Sequence, residues 1–197
     1  MKNKKITIFV DSCAWNILFK FNVNLAKESI NDSFDWAMTK EVFSFEIESI
    51  PTEKENKKAL KDYILEQIES ARVREDSFFG FGDINEPEGY RPRVGGFGEG
   101  RFISYEESEQ LLKYERVKEK QMRTGLYKDE ADSSLALRAT TGSVVLTAEN
   151  PNKNGPLKDA RLAGGMFINI SEFDPAKSSF GKFIIDKLKS QLNRNLK

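Results

Sequence analysis

Two carboxylates stand where apolar runs end. Asp11 follows Ile6 to Val10 (ITIFV), and Glu149 lies two residues past Ser143 to Thr147 (SVVLT), in the stretch LTAEN. Runs that are continuous rather than alternating mark strands covered on both faces. Open parallel sheets bind ligands outside the carboxyl ends of their strands, so both acids point into one crevice. Crowding two carboxylates is costly unless they share a cation. The pair therefore reads as a divalent-metal site, and an all-oxygen donor set suits Mg²⁺ or Mn²⁺. The chain contains no histidine, which removes Ser-His and Cys-His triads, imidazole acid–base pairs and every His-containing zinc site. Catalysis would have to come from carboxylates, Lys, Arg or Tyr. The single cysteine, Cys13, allows no intrachain disulfide and no zinc knuckle. Beside an apolar strand it reads as a small buried hydrophobe, with a reactive thiol as the minor alternative.

The elements that must position these acids alternate between strand and helix. Phe34 to Met38 is a second short strand. The segment EVFSFEIESIP is ambiguous: Phe43, Phe45 and Ile47 alternate like a strand, whereas Val42, Phe45 and Ser49 share a helical face. Thr52 with Glu55 forms the S/T-x-x-E pattern that opens a helix, with a stripe of Leu60, Ile64 and Ile68. Arg72 to Phe79 is another strand or extended crossing. Seven of the 13 glycines fall between Gly80 and Gly100 with Pro87 and Pro92, so the insertion at about 80–103 is a loop. Ser104 and Glu107 make a second capping box for a helix to about Met122. A helix containing DEADSSLALRA ends at Gly142, with Asp129 and Glu130 as cap and dipole residues. SVVLT and Met166 to Ile170 are strands, and Asp174 with Pro175 launches a last helix carrying Phe180, Ile184, Leu188 and Leu192. This alternation predicts an α/β sandwich with a mainly parallel central sheet.

At 197 residues the chain suits one domain, 1–197, with elaborations. Lys+Arg and Asp+Glu balance at 31 each, which argues against coating nucleic acid by bulk charge but leaves room for a local basic groove. The apolar run after Met-Lys-Asn-Lys-Lys is too short for a secretory leader, and no stretch reaches the ~20 apolar residues of a membrane span. A cytoplasmic location without membrane contact is the expectation.

The ordered set ITIFVDSCAWN, KEVFSFEIESIP, EADSSLALRA and VVLTAEN resembles the four-acid pattern of PIN-like nuclease domains. The resemblance covers most of the chain outside the Gly-rich insertion. It implies a three-layer α/β/α sandwich whose acids bind Mg²⁺ or Mn²⁺, with a metal-activated water cleaving RNA, less often DNA. Carried over by position, the acids are Asp11, Glu46, Asp132 and Glu149, as both metal ligands and catalytic residues, with Glu48 a competitor of Glu46. The resemblance also decides the ambiguous segment, Phe43 to Ile50, as helix. Glu149 departs from the Asp usual in the family and reaches one methylene further. Ser12 matches the small hydroxyl residue beside the first acid, as a substrate-binding group, and Asp159 is an auxiliary acid.

Arg91, Arg93 and Arg101 lie in the insertion among Phe81, Tyr90, Phe97 and Phe102. Basic residues interleaved with aromatics suit a grip on phosphates and stacked bases of a single strand; the alternative is a surface loop with scattered charges. GGFGEGR does not satisfy G-x-G-x-x-G, and no Walker loop is present. A D-x-D aspartyl phosphatase is disfavoured because Cys13 occupies the second position after Asp11. The expected function is thus a metal-dependent endoribonuclease on single-stranded RNA, with an inactive PIN-like RNA- or protein-binding module as the alternative. By analogy with small PIN toxins, an antitoxin or a second copy of the chain is an expected partner.

Overall fold

A computed structural model describes residues 5–28, 33–78, 100–107, 109, 126 and 129–195. Five strands form one parallel sheet in the order β3-β2-β1-β4-β5: β1 Ile6–Val10, β2 Phe34–Thr39, β3 Arg74–Asp76, β4 Val144–Thr147 and β5 Met166–Asn169. β1 is central, pairing Ile8 with Trp36 on one side and with Val144 on the other. Its neighbour β4 is buried at all four positions and β1 at its last three, Ile8 to Val10, in keeping with their unbroken apolar runs. β3 is shorter than the run Arg72 to Phe79 suggested, because Arg72 adopts a left-handed turn conformation (φ 53°) before it.

Helices cover both faces. α1 (Ser12–Lys20), α2 (Leu25–Glu28) and α3 (Glu55–Ser70) form one packed layer; α4 (Glu130–Thr140) and α5 (Pro156–Leu162) pack together as the other. The result is the three-layer α/β/α architecture. α6 (Phe180–Asn195) follows β5 and packs against it, with Phe180 stacked on Trp36 of β2. Buried Ala14, Trp15 and Leu18 give α1 its core face, and Leu60 and Ile64 do the same for α3, with Ile68 half-buried against the core. Two polar side chains of α3 tie down the short α2: Gln67 accepts from the Leu25 N–H at 2.9 Å and the Tyr63 hydroxyl donates to the Val23 carbonyl at 2.5 Å.

The segment Phe43 to Ile50, expected as helix, is helical as a π-helix at Glu41–Ile47 that ends before Glu48. Two helix starts differ from expectation. The Thr52–Glu55 box does not form: Glu55 is the first helical residue after a Lys54 cap in extended backbone, which leaves Thr52 outside the first turn. In the last helix, the Asp174 carboxylate caps only a tight turn, accepting from Ala176 N–H at 3.0 Å, and the helix itself begins at Phe180. The Ser104–Glu107 box does form in both directions, Glu107 N–H to Ser104 Oγ at 3.1 Å and Ser104 N–H to Glu107 Oε2 at 3.0 Å. Most of the helix it was expected to open, and the Gly-rich stretch from 79 to 99, lie outside the described residues.

Candidate active site at the carboxyl edge of the sheet

The central strand delivers Asp11 to the sheet edge, where the backbone turns into α1. Asp11 stands at the cap position of α1 in extended backbone, yet its side chain does not cap the helix. It reaches across to β4 instead. Thr147 Oγ1 donates to Asp11 Oδ2 at 2.6 Å, and the Cys13 thiol donates to the same oxygen at 2.9 Å. Asp11 is only 5% exposed, so these bonds replace the water a carboxylate would otherwise hold. Thr147 Oγ1 also accepts from the Glu149 N–H at 3.0 Å, and Cys13 Sγ accepts from the Ala148 N–H at 3.2 Å. The strand-end threonine thus couples the orientation of the first and fourth acids. Burial and the adjacent Asp11 charge push the Cys13 thiol up to about 12, so it is a neutral donor rather than a nucleophile.

Glu46 comes from the π-helix. In an i→i+5 ladder, residues five apart lie close to one face, whereas on an α-helix they sit about 140° apart. Glu41 and Glu46 are five apart, and the charge of Glu41 acts on Glu46. Glu41 is held by the Ser134 hydroxyl of α4 at 2.8 Å. One oxygen of Glu46, Oε2, is buried without a hydrogen-bond partner among the described residues, and the Ser12 hydroxyl bonds the carboxylate. Burial first, then the charges of Asp11 and Glu41, raise Glu46 to about 7. Glu48 is exposed beyond the end of the π-helix and does not figure among the charges acting on the other acids.

Asp132 occupies the first turn of α4. Its carboxyl is raised to about 7 by burial, then by the charges of Glu149 and Asp11, with a smaller push from Glu46 and an opposing pull from Lys153. Glu149 is ion-paired to Lys153. Asp132 thus feels Glu149, Asp11 and Glu46, and Glu46 feels Asp11, from separate elements at the carboxyl edge of the sheet. None of the described acids forms a group of three spaced to enclose a metal ion as they stand. As they stand, Asp11 is engaged by Thr147 and Cys13, Glu149 by Lys153 and Glu46 by Ser12.

The remaining expectations divide. Ser12 lies between Asp11, 3.5 Å from Oδ1, and Glu46. Asp159 is exposed on α5. Arg91 and Arg93 lie outside the described residues. Arg101 is committed internally, donating Nε to Asp76 at 3.1 Å and both Nη groups to the two Glu107 oxygens at 2.8 and 2.6 Å. Asp76, at the end of β3, also receives Arg74 Nη1 at 2.9 Å and Nε and Nη2 of the buried Arg138 at 3.1 and 2.9 Å. Arg138 stacks over Phe78, 4.1 Å from the ring centroid, and donates to Ser134, which in turn holds Glu41. This ladder of charges closes the base of the Gly-rich insertion, where Arg101 N–H bonds the Ser77 carbonyl at 3.0 Å, and links it to the acid site.

Glu41, Thr147 and Arg161 were not singled out by sequence. Glu41 had a signal in its five-residue offset from Glu46, legible only if a π-helix is assumed. Comparisons with family models, with curated proteins and with solved structures found no match to this chain.

Proposed function

We propose that the chain is a divalent-metal-dependent nuclease of the PIN-like kind, an endoribonuclease acting on single-stranded RNA. The observation that supports this most is the placing of Asp132 in the field of Glu149, Asp11 and Glu46, and of Glu46 in that of Asp11, at the carboxyl edge of a parallel sheet. The residues fit a hard cation. The donors are all carboxylates, Glu46 Oε2 is buried with no partner among the described residues, and Glu46 and Asp132 are pushed towards neutrality by burial first and then by neighbouring acids. Asp11, Glu46, Asp132 and Glu149 would hold the ion. Bound there, a divalent cation supplies an activated water and offsets charge on the phosphate oxygens.

The chain's own groups do the positioning. Thr147 and Cys13 fix one oxygen of Asp11 and leave the other directed towards Ser12. Lys153 moderates the repulsion between Glu149 and Asp132. No imidazole is required, in keeping with a sequence that has none. That no three of the described acids form a group that could hold an ion as they stand favours the second reading, an inactive module that binds RNA or protein.

Replacing Asp11 by Asn keeps its size and removes the charge that would hold the cation. Labelled single-stranded RNA and DNA incubated with Mn²⁺ should be cut by the wild type, RNA faster. Asp11→Asn should reduce cleavage at least ~100-fold, and EDTA should abolish it. Cleavage that persists equally in EDTA or in the variant would refute the assignment.

A further inference from the structure

Arg161 is a cation in the field of the acid site, and among the described residues it makes no ion pair with those acids. It sits in the last turn of α5, and side chains on a helix lean towards its N-terminal end, which here is the carboxyl edge of the sheet. The guanidinium stacks over Phe167 of β5 at 4.6 Å from the ring centroid. It lies in the field of Glu149, Asp11 and Asp132, in that order of strength. Despite that company, Nη1 is buried with no hydrogen-bond partner among the described residues. A buried guanidinium donor without an acceptor is costly, and two of the acids beside it, Asp11 and Glu149, are engaged with Thr147, Cys13 and Lys153 instead. The ring behind Arg161 fixes the plane of the fork. Gly165 allows this close packing: a Cβ there would meet the Ala160 carbonyl oxygen at 2.8 Å and the Phe167 ring at 3.1 Å.

We propose that Arg161 is the phosphate-binding residue of this site, its guanidinium donating to a non-bridging oxygen of the nucleic-acid backbone at the acid cluster. This rests on the nuclease reading for the identity of the substrate. The chemistry fits: a planar fork matches phosphate oxygens, and stacking on an aromatic ring pre-orients it. A cation placed beside ligands for another cation is otherwise counterproductive, since it weakens metal binding. It becomes useful when a phosphate anion bridges the two.

The test compares wild type with Arg161→Gln and Arg161→Met, the latter retaining an apolar stem over Phe167. Binding of a fluorescent single-stranded RNA is followed with Ca²⁺ in place of Mn²⁺ across a series of NaCl concentrations, and cleavage is followed separately with Mn²⁺. Both variants should bind RNA about 10-fold or more weakly, with a log–log salt slope shallower by about 0.7, the contribution of one phosphate contact on a single strand. Mn²⁺ affinity by calorimetry should stay the same or rise. RNA affinity and salt slope equal to wild type in a folded variant would overturn the proposal, as would loss of Mn²⁺ binding. If the wild type binds RNA but does not cut it, the nuclease reading fails, while the salt slope still decides the role of Arg161.

Discussion

Glu46 and Asp132 are both raised to about 7 by burial and by neighbouring acids, so near neutrality each is divided between its charged and neutral forms. In the unfolded chain the same carboxyls release their protons near pH 4. Between about pH 4 and 7 the folded protein therefore holds protons that the unfolded chain has lost. The associated stability is full below that window and falls as pH rises through it. Thermal melts of metal-free protein should accordingly show Tm dropping from pH 5 to pH 8. Glu46→Gln should raise Tm at pH 8, by up to about 3 kcal/mol in stability, and flatten the pH profile. A Tm that climbs across this range would show that the acids are not mutually repelling. Of the residues at this scale, Asp11 and Glu149 stood out because each follows a continuous apolar run, whereas Asp132 was singled out only through the resemblance of EADSSLALRA to a family pattern. Thr147 was not, since a threonine ending a strand is common, and its role depends on Asp11 lying one strand away.

The π-helix decides which acid enters the site. A sequence read in periods of 2.0 and 3.6 leaves 43–50 undecided, because buried Val42, Phe45 and Ile47 fit neither period. An i→i+5 ladder accounts for the conflict and turns Glu46 rather than Glu48 towards the acids. Capping patterns were equally conditional. The Ser104–Glu107 box formed because both residues fall at the required offset from the helix start, whereas Glu55 itself begins α3 and leaves Thr52 too far upstream. The α5–β5 turn carries its own constraint at Gly165, where an added methyl would meet backbone oxygen at 2.8 Å and the Ala139 Cβ of α4 at 3.2 Å. Gly165→Ala should cost about 1–3 kcal/mol in chemical denaturation, the usual penalty for overpacking. An unchanged denaturation midpoint would mean that α5 can move away from α4 freely.

Across the whole molecule, the strand order β3-β2-β1-β4-β5 explains why residues more than 100 positions apart meet: β1 and β4 are neighbours, so Asp11 and Thr147 share one edge. The parallel α/β class followed from the alternation of apolar runs and amphipathic stretches. The lateral order did not, because pairing partners are chosen by contacts that no single segment encodes. The ion ladder from Glu107 through Arg101, Asp76 and Arg138 was also hidden, as its members come from elements distant in sequence. Among the described residues no helix is long and apolar enough to cross a membrane. The central claim is that four acids from four elements form one cation site. Calorimetric titration of the protein with Mn²⁺ at pH 7, repeated in buffers of different ionisation enthalpy, tests it most directly. The predicted result is a single site per chain, lost in Asp11→Asn and Asp132→Asn, with protons released on binding because Glu46 and Asp132 are partly protonated beforehand. No saturable heat in the wild type, or binding unchanged in both variants, would contradict it.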